Sequence, residues 1–135
     1  MRYLLDTDAC IFLINRRPGY EQVLARMGSL RYGQVLYSAV TLCELEFGIA
    51  NSERRDHNRR RVELFLARLD LAPLDEIAAR RYGELRATLE RKGKPIGPLD
   101  TLIAAHALGL GVVLVTNNVR EFSRVPGLRV QNWMK

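Results

Sequence analysis

The chain has 135 residues, a length typical of one domain that buries most of its apolar surface without disulfides or other crosslinks. With 47% hydrophobic and 27% charged residues, the composition excludes a disordered or fibrous architecture. The formal net charge of +6 favours a polyanionic partner such as nucleic acid, an anionic membrane surface or an acidic protein.

No apolar run approaches the roughly 20 residues that span a bilayer, and an acid at position 6 is unlike a secretory signal. We therefore expect a cytoplasmic protein that does not associate with a membrane. The two cysteines, Cys10 and Cys43, are far apart and have no histidine nearby, so they predict neither a zinc site nor a disulfide. We expect both to be small buried hydrophobic residues.

Short apolar runs alternate with amphipathic segments in the first half of the chain. Residues 3–5 predict a buried strand that ends at Asp6, and Asp8 is the expected N-cap of the helix that follows. A second helix ends before Gly28. Residues 35–37 predict another strand, followed by a helix that carries Glu44 in its first turn.

The same alternation continues in the second half. A basic run over 54–61 leads into an apolar helical stripe, residues 71–74 are a candidate strand, and a longer helix starts at Asp75. Pro98 suits the first position of a helix that has Asp100 in its first turn and ends at two glycines. Residues 112–115 predict a strand, and residues 126–133 predict a final turn and a short edge strand.

Alternating strands and helices predict a parallel sheet covered on both faces, with right-handed crossovers. We therefore expect an α/β fold, a three-layer α/β/α sandwich with a short parallel sheet, formed by residues 1–135 as a single domain.

The polar residues of interest follow the predicted strands. Asp6 ends the first strand, Glu44 follows the second, and Thr116, Asn117 and Asn118 follow the strand over 112–115. The carboxyl ends of parallel strands meet at one edge of the sheet, so these oxygens are expected to converge there, with Asp100 pointing to the same place. Carboxylates about 4 Å apart repel each other by roughly 4 kcal/mol at an effective dielectric of about 20, which calls for a cation.

Oxygen ligands of this number suit Mg²⁺ or Mn²⁺. Such an ion activates water and neutralises phosphoryl oxygens, so the pattern favours phosphodiester hydrolysis. Neither His57 nor His106 is placed to serve as a paired general acid and base, which disfavours a metal-free histidine ribonuclease. Three basic residues just before Asp100 are the candidates for RNA phosphate contacts: Arg91, Lys92 and Lys94. The basic run over 54–61 is more typical of a solvated helix face.

Each acid also has a structural interpretation. Thr41-x-x-Glu44 forms a capping box, which makes Glu44 as readily structural as catalytic, and Asp100 could simply complement a helix dipole. Asp6 is harder to explain structurally, because Asp8 is the better expected cap, so a functional role is favoured for Asp6.

Four blocks in order along nearly the whole chain resemble the VapC-type toxins of bacterial toxin–antitoxin pairs, which are members of the PIN-domain family. They are LLDTDACIFLI, VTLCELEFG, RKGKPIGPLDTLIAAHA and VLVTNNVREFSRVPGLRVQNW. The resemblance implies an α/β/α sandwich and a Mg²⁺- or Mn²⁺-dependent endoribonuclease that arrests translation. It also implies a homodimer that a cognate antitoxin neutralises in a larger complex.

Carried over by position, Asp6, Glu44 and Asp100 match the family's acidic cluster and its metal ligands. The likeness of the TNNxREF block to toxins that cleave initiator tRNA makes tRNA the favoured substrate. Many PIN domains have a fourth acid after the last strand, where this chain has Asn117 and Asn118, with Glu121 three residues beyond. Asn118 matches that catalytic position best, and its uncharged amide makes a one-metal mechanism plausible.

Two other functions fit parts of the sequence. Asp6-Thr7-Asp8 resembles the nucleophile and acid of haloacid-dehalogenase-like phosphatases, but such enzymes need further acids for Mg²⁺ and there is no Asp after Asp100. A catalytically silent module that binds RNA or an acidic partner through its basic surface agrees with the missing fourth acid. Retention of the other three acids argues against it.

Overall fold

The structure is a computed structural model that describes residues 1–135. The strands are β1 (Tyr3–Leu5), β2 (Val35–Ser38), β3 (Asp70–Ala72), β4 (Val113–Val115) and β5 (Val130–Gln131). The helices are α1 (Thr7–Ile14), α2 (Tyr20–Gly28), α3 (Ala39–Ala50), α4 (Arg55–Leu66), α5 (Glu76–Arg91), α6 (Pro98–Leu110) and α7 (Val119–Phe122).

The five strands form one parallel sheet in the order β3-β2-β1-β4-β5. The first strand in the chain is therefore the central one, since Leu5 pairs with Tyr37 of β2 on one side and with Val115 of β4 on the other. All strands point the same way, so their carboxyl ends, and the helices that follow β1, β2 and β4, lie at one edge of the sheet.

Neighbouring residues of each strand point to opposite faces of the sheet, and each face is covered by helices. Leu4 and Leu114 belong to a core shared with α5, α6 and α7, whereas Leu5 and Val115 belong to a core shared with α1, α2 and α4. The predicted three-layer α/β/α arrangement with a short parallel sheet is thus confirmed.

Helix α6 begins and ends as the sequence predicts. Pro98 is its first residue, and Gly111 closes it with φ +69°, a left-handed conformation that glycine adopts without the cost of a β-carbon clash. Helix α5 begins at the predicted Asp75, whose carboxylate accepts a hydrogen bond from the Ala78 amide at 2.9 Å.

Two predicted helix starts are wrong. Asp6, and not Asp8, is the N-cap of α1, and its Oδ1 accepts from the Ala9 amide at 2.8 Å. Ser38 is the N-cap of α3, so the proposed capping box of Thr41 and Glu44 does not form. The buried strand β2 runs directly into the helix at Ser38, which shifts the helix start by three residues and puts Glu44 in its second turn.

Other expectations differ in detail. The basic run lies mostly within α4 rather than before it, and helix α7 was not predicted because its four residues are too short for a periodic pattern. Cys10 is buried as expected, but Cys43 is exposed because it faces outward on α3. None of the helices has the length and apolar character needed to cross a membrane.

Candidate active site

The candidate site lies at the carboxyl edge of the sheet, above its three middle strands. Register places Asp6, Ser38 and Thr116 side by side, because each follows or ends one of the paired strands β1, β2 and β4. The amide of Asp6 donates to the Val115 carbonyl at 3.0 Å, which fixes the acid at this level.

Asp6 is almost fully buried, with 2% of its surface exposed. Burial raises the pKa of its carboxyl to about 7, and the negative charges of Asp8 and Asp100 add to this effect. Hydrogen bonds from the Thr116 side chain and the Ala9 amide act in the opposite direction by stabilising the ionised form. The cap function and the raised pKa coexist in one carboxylate, so the structural and functional interpretations of Asp6 are not alternatives.

Asp100 lies in the first turn of α6 and is half-buried. The pKa of its carboxyl is raised to about 7, and burial is the largest cause. The charge of Glu121 and a hydrogen bond with the Glu121 carboxyl come next, and the charges of Glu44 and Asp8 add to the rise. Acids from three other segments therefore act on this one carboxyl, as convergence at the sheet edge predicts.

Glu44 is held by hydroxyl groups rather than by a helix cap. The Thr7 hydroxyl donates to Glu44 Oε1 at 2.7 Å, and Thr7 Oγ1 lies 2.9 Å from the hydroxyl of Thr41. Because Glu44 also raises the pKa of Asp100, its charge reaches the space above the sheet.

Glu121 is the acid that sequence reasoning left without a role. It lies on α7, accepts a hydrogen bond from the side-chain amide of Asn118, and accepts from the Gly97 amide at 3.4 Å. Asn118 thus directs its amide at Glu121. The signal that could have found this residue is the spacing Asn118-x-x-Glu121, which puts the two on neighbouring turns when a helix follows β4.

Neither histidine is hydrogen-bonded to an acid of this cluster. His106 is buried, and its Nδ1 lies 2.8 Å from the Ser38 hydroxyl, while Nε2 has no hydrogen-bond partner. Burial lowers the pKa of His106. His57 lies among arginines on α4, and the charge of Arg54 lowers its pKa most. Neither imidazole contacts the acids, in agreement with the expectation from sequence.

The predicted phosphate contacts lie at the end of α5 and on the loop that leads to α6. Arg91 is the last residue of α5, Lys92 is its C-cap, and Lys94 directly precedes Pro95. All three side chains are exposed. None of them is among the groups that shift the pKa of Asp6 or Asp100.

The donor chemistry of the cluster fits a hard divalent cation, since it offers carboxylate oxygens and neither sulfur nor imidazole. Two carboxyls with pKa values raised to about 7 also indicate a place where an added positive charge is favourable. No three Asp, Glu, His or Cys side chains are close enough together to make a complete set of ligands. Mutual repulsion of the carboxylates favours this separation.

Comparison with known proteins agrees with this architecture. The PIN domain family model matches residues 3–128. The tRNA(fMet)-specific endonuclease VapC of Shigella flexneri is 42% identical over 133 residues, 98% of each chain. Ribonuclease VapC2 of Rickettsia felis is 38% identical over 136 residues and matches along the full length of both chains.

Solved structures give the same result. DNA-bound VapBC from Salmonella typhimurium superposes with a TM-score of 0.91 at 42% identity over 98% of each chain. VapBC2 from Rickettsia felis, bound to a DNA fragment from its promoter, superposes with a TM-score of 0.90 at 36% identity, over 98% of this chain and 99% of that one. PIN-domain ribonucleases generally depend on divalent metal ions. The chain therefore belongs to the PIN-domain family, as a member of its VapC group.

Proposed function

We propose that this chain is the toxin of a toxin–antitoxin pair, an endoribonuclease that uses Mg²⁺ or Mn²⁺ to hydrolyse tRNA, with initiator tRNA the favoured substrate. Arrest of translation follows from the loss of that tRNA, and a cognate antitoxin neutralises the activity. The relative from Shigella flexneri is an endonuclease and the one from Rickettsia felis a ribonuclease, and both match over nearly the whole chain, which supports the activity.

The observation that carries the proposal is the group of carboxylates around Asp100. Its pKa of about 7 reflects burial together with the charges of Glu121, Glu44 and Asp8. A fold does not keep like charges together for stability, because their repulsion is a cost. Such a cluster at the carboxyl edge of a parallel sheet is therefore typical of a functional site.

Asp6, Glu44 and Asp100 are the proposed ligands, with Asp6 and Asp100 the more direct pair. When bound, the ion supplies a nucleophilic water and positive charge for the phosphate oxygens. Asp6 is held in place by the Ala9 amide and by Thr116. Glu121 supplies the fourth carboxylate, and Asn118 orients it through a hydrogen bond. Asn118 therefore acts in the site by orienting Glu121 and not by binding the ion itself.

Exposed cations flank the proposed entrance for RNA. Arg91, Lys92 and Lys94 are proposed to contact phosphates on either side of the bond that is cut, which agrees with the formal net charge of +6. Phosphate contacts of this kind position the strand and do not choose its sequence. The similarity to the tRNA(fMet)-specific endonuclease of Shigella flexneri supports tRNA(fMet) as the substrate.

The proposed protein partners are a cognate antitoxin and a second copy of this chain, assembled into a larger complex. The solved relatives are VapBC complexes, which supports the antitoxin. A groove between α1, α3 and α4 carries Ile11, Leu45 and Val62 and reaches Glu44. An antitoxin segment in this groove would lie beside the proposed ligands and block access to them.

The test is incubation of the purified chain with total bacterial tRNA, followed by mapping of cut ends. Reactions contain Mg²⁺ or EDTA, and Asp6→Asn serves as the matched variant because Asn keeps an acceptor for the helix cap. One discrete cut that requires both the metal and Asp6 is expected. Intact RNA under every condition would indicate a silent binding module or another RNA substrate, and cleavage in EDTA would contradict the metal site.

A further inference from the structure

Two buried threonines connect the first acid of the chain to Glu44. Thr7 directly follows Asp6 and is 6% exposed, and Thr41 lies on α3 one turn before Glu44 and is fully buried. Their hydroxyl oxygens are 2.9 Å apart, and Thr7 Oγ1 is 2.7 Å from Glu44 Oε1. The contact joins helix α1 to helix α3 through side chains alone.

The direction of these hydrogen bonds follows from the number of protons. A threonine hydroxyl has one proton and a carboxylate only accepts, so the Thr7 hydroxyl donates its one hydrogen bond to Glu44 Oε1. The hydroxyl of Thr41 must then donate to Thr7 Oγ1. Each bond polarises the next, which strengthens the contact that ends on the charged oxygen.

We propose that Thr7 is a positioning residue whose hydrogen bond takes one lone pair of Glu44 Oε1 and disfavours binding of a cation by both carboxylate oxygens, so that the site favours Mg²⁺ over Ca²⁺. The proposal rests on the proposed function of the acidic cluster. It concerns an oxygen of Glu44 that already has a short hydrogen bond from a buried donor.

Ion chemistry explains the selectivity. Ca²⁺ takes six to eight oxygens and often binds both oxygens of one carboxylate, whereas Mg²⁺ requires an octahedral set and uses single oxygens with water. A carboxylate with one oxygen engaged by Thr7 suits the second pattern. Loss of the Thr7 hydroxyl frees Glu44 to present both oxygens, which helps Ca²⁺ and removes the orientation that helps Mg²⁺.

The experiment measures ion binding and not RNA cleavage. Mn²⁺ bound to the full-length chain is followed by electron paramagnetic resonance of the free ion, and Mg²⁺ or Ca²⁺ is added as a competitor. Wild type is compared with Thr7→Val, which has the same shape without the hydroxyl, and with Thr7→Ser, which keeps it. Ser52→Ala is the control, because that hydroxyl donates to the Ile49 carbonyl at the other end of α3.

In Thr7→Val we expect about a tenfold loss of Mn²⁺ affinity and a fall of similar size in the ratio of Mg²⁺ to Ca²⁺ affinity. Thr7→Ser and Ser52→Ala should keep the wild-type ratio. An unchanged ratio in a folded Thr7→Val protein overturns the role of Thr7 while leaving the proposed metal site intact. Failure of the wild type to bind Mn²⁺ overturns both.

Discussion

The carboxyls of Asp100 and Glu121 share a hydrogen bond at the edge of the sheet, although 20 residues separate them in the chain. After burial, the charge of Glu121 is the largest cause of the raised pKa of Asp100. Removal of the charge on the short helix α7 therefore changes the proton affinity of the acid at the start of α6.

Removal of the charge at Glu121 should lower the pKa of Asp100. In Glu121→Gln the repulsion is gone, so the carboxyl of Asp100 loses its proton below pH 7, as carbon-detected NMR titration of labelled aspartate would record. Glu90→Gln is the matched control, because that acid pairs with Arg86 on α5 and is not among the causes of the shift. A pKa of Asp100 that stays at about 7 in Glu121→Gln would contradict this pairing.

Replacement of Asp6 should separate stability from activity. The folded pKa of Asp6 is about 7 and its ordinary value is 3.8, so the folded state holds a proton that the unfolded state loses between these values. Stability from this group is present below 3.8 and is lost as pH rises to about 7. Asp6→Asn keeps an acceptor for the helix cap but has no titrating carboxyl. Its free energy of unfolding relative to wild type should therefore increase by on the order of 2–4 kcal/mol as pH rises from acid to mildly alkaline values.

Urea unfolding in metal-free buffer at several pH values measures that difference, and RNA cleavage measures the loss of activity. We expect the variant to be inactive at every pH. A difference in unfolding free energy that does not change with pH would mean that the pKa of Asp6 is the same in the folded and unfolded protein.

Metal affinity should increase steeply as pH rises through about 7. Ligand carboxyls have to lose their protons before they bind an ion, and the pKa values of Asp6 and Asp100 are both about 7. Calorimetric titration with Mn²⁺ on either side of neutrality, in two buffers of different ionisation enthalpy, gives both the affinity and the number of protons released. Binding that releases no proton below neutral pH would exclude these acids as the ligands.

Replacement of Arg91 and Lys92 with alanine should weaken RNA binding and make its salt dependence shallower by about two counterions. The matched control replaces Arg80 and Arg81 with alanine on the same helix, and Arg81 lies about 15 Å from Arg91 along the axis at 1.5 Å per residue. Both control residues are exposed, so the control loses the same two positive charges elsewhere. Filter binding with a catalytically inactive protein at several salt concentrations makes the comparison. An equal change in slope in the control would assign the effect to net charge.

His106 should make the fold sensitive to acid. Burial lowers its pKa below the ordinary 6.5, so the folded state takes up its proton later than the unfolded state does as pH falls. This group's contribution is therefore complete above about 6.5 and is lost as pH falls through the folded pKa. In urea titrations, the unfolding free energy of His106→Asn should depend less on pH in this range than that of wild type. The smaller side chain leaves a cavity that lowers stability equally at every pH, so the slope is the quantity to compare. The same slope in both proteins would contradict the assignment.

Alternation of strands and helices was enough to predict the parallel sheet, its two helical layers and the position of Asp6 directly after the first strand. The start of α3 was not predictable from the capping pattern, because Ser38 is both the last residue of a buried strand and the cap of the next helix. Tertiary structure overrides a local signal here. The same override makes Asp6 a cap, since the preceding strand fixes where the helix starts.

The acids of the site were found by position, but their interactions were not. The link from Thr7 to Glu44 spans 37 residues, and its partners become neighbours only when α1 and α3 pack. Glu121 was noted but left unassigned, because the four-residue helix that brings it to Asp100 has no periodic signature. Whether Arg91, Lys92 and Lys94 bind RNA stays a prediction.

The central position of β1 has a consequence for how the protein is made. Asp6 precedes Asp100 and Glu121 by more than 90 residues, and its strand needs β4 as a neighbour. A chain emerging from the ribosome therefore contains Asp6 long before it contains Asp100 and Glu121. The acidic cluster of this ribonuclease assembles only after helix α7 has emerged.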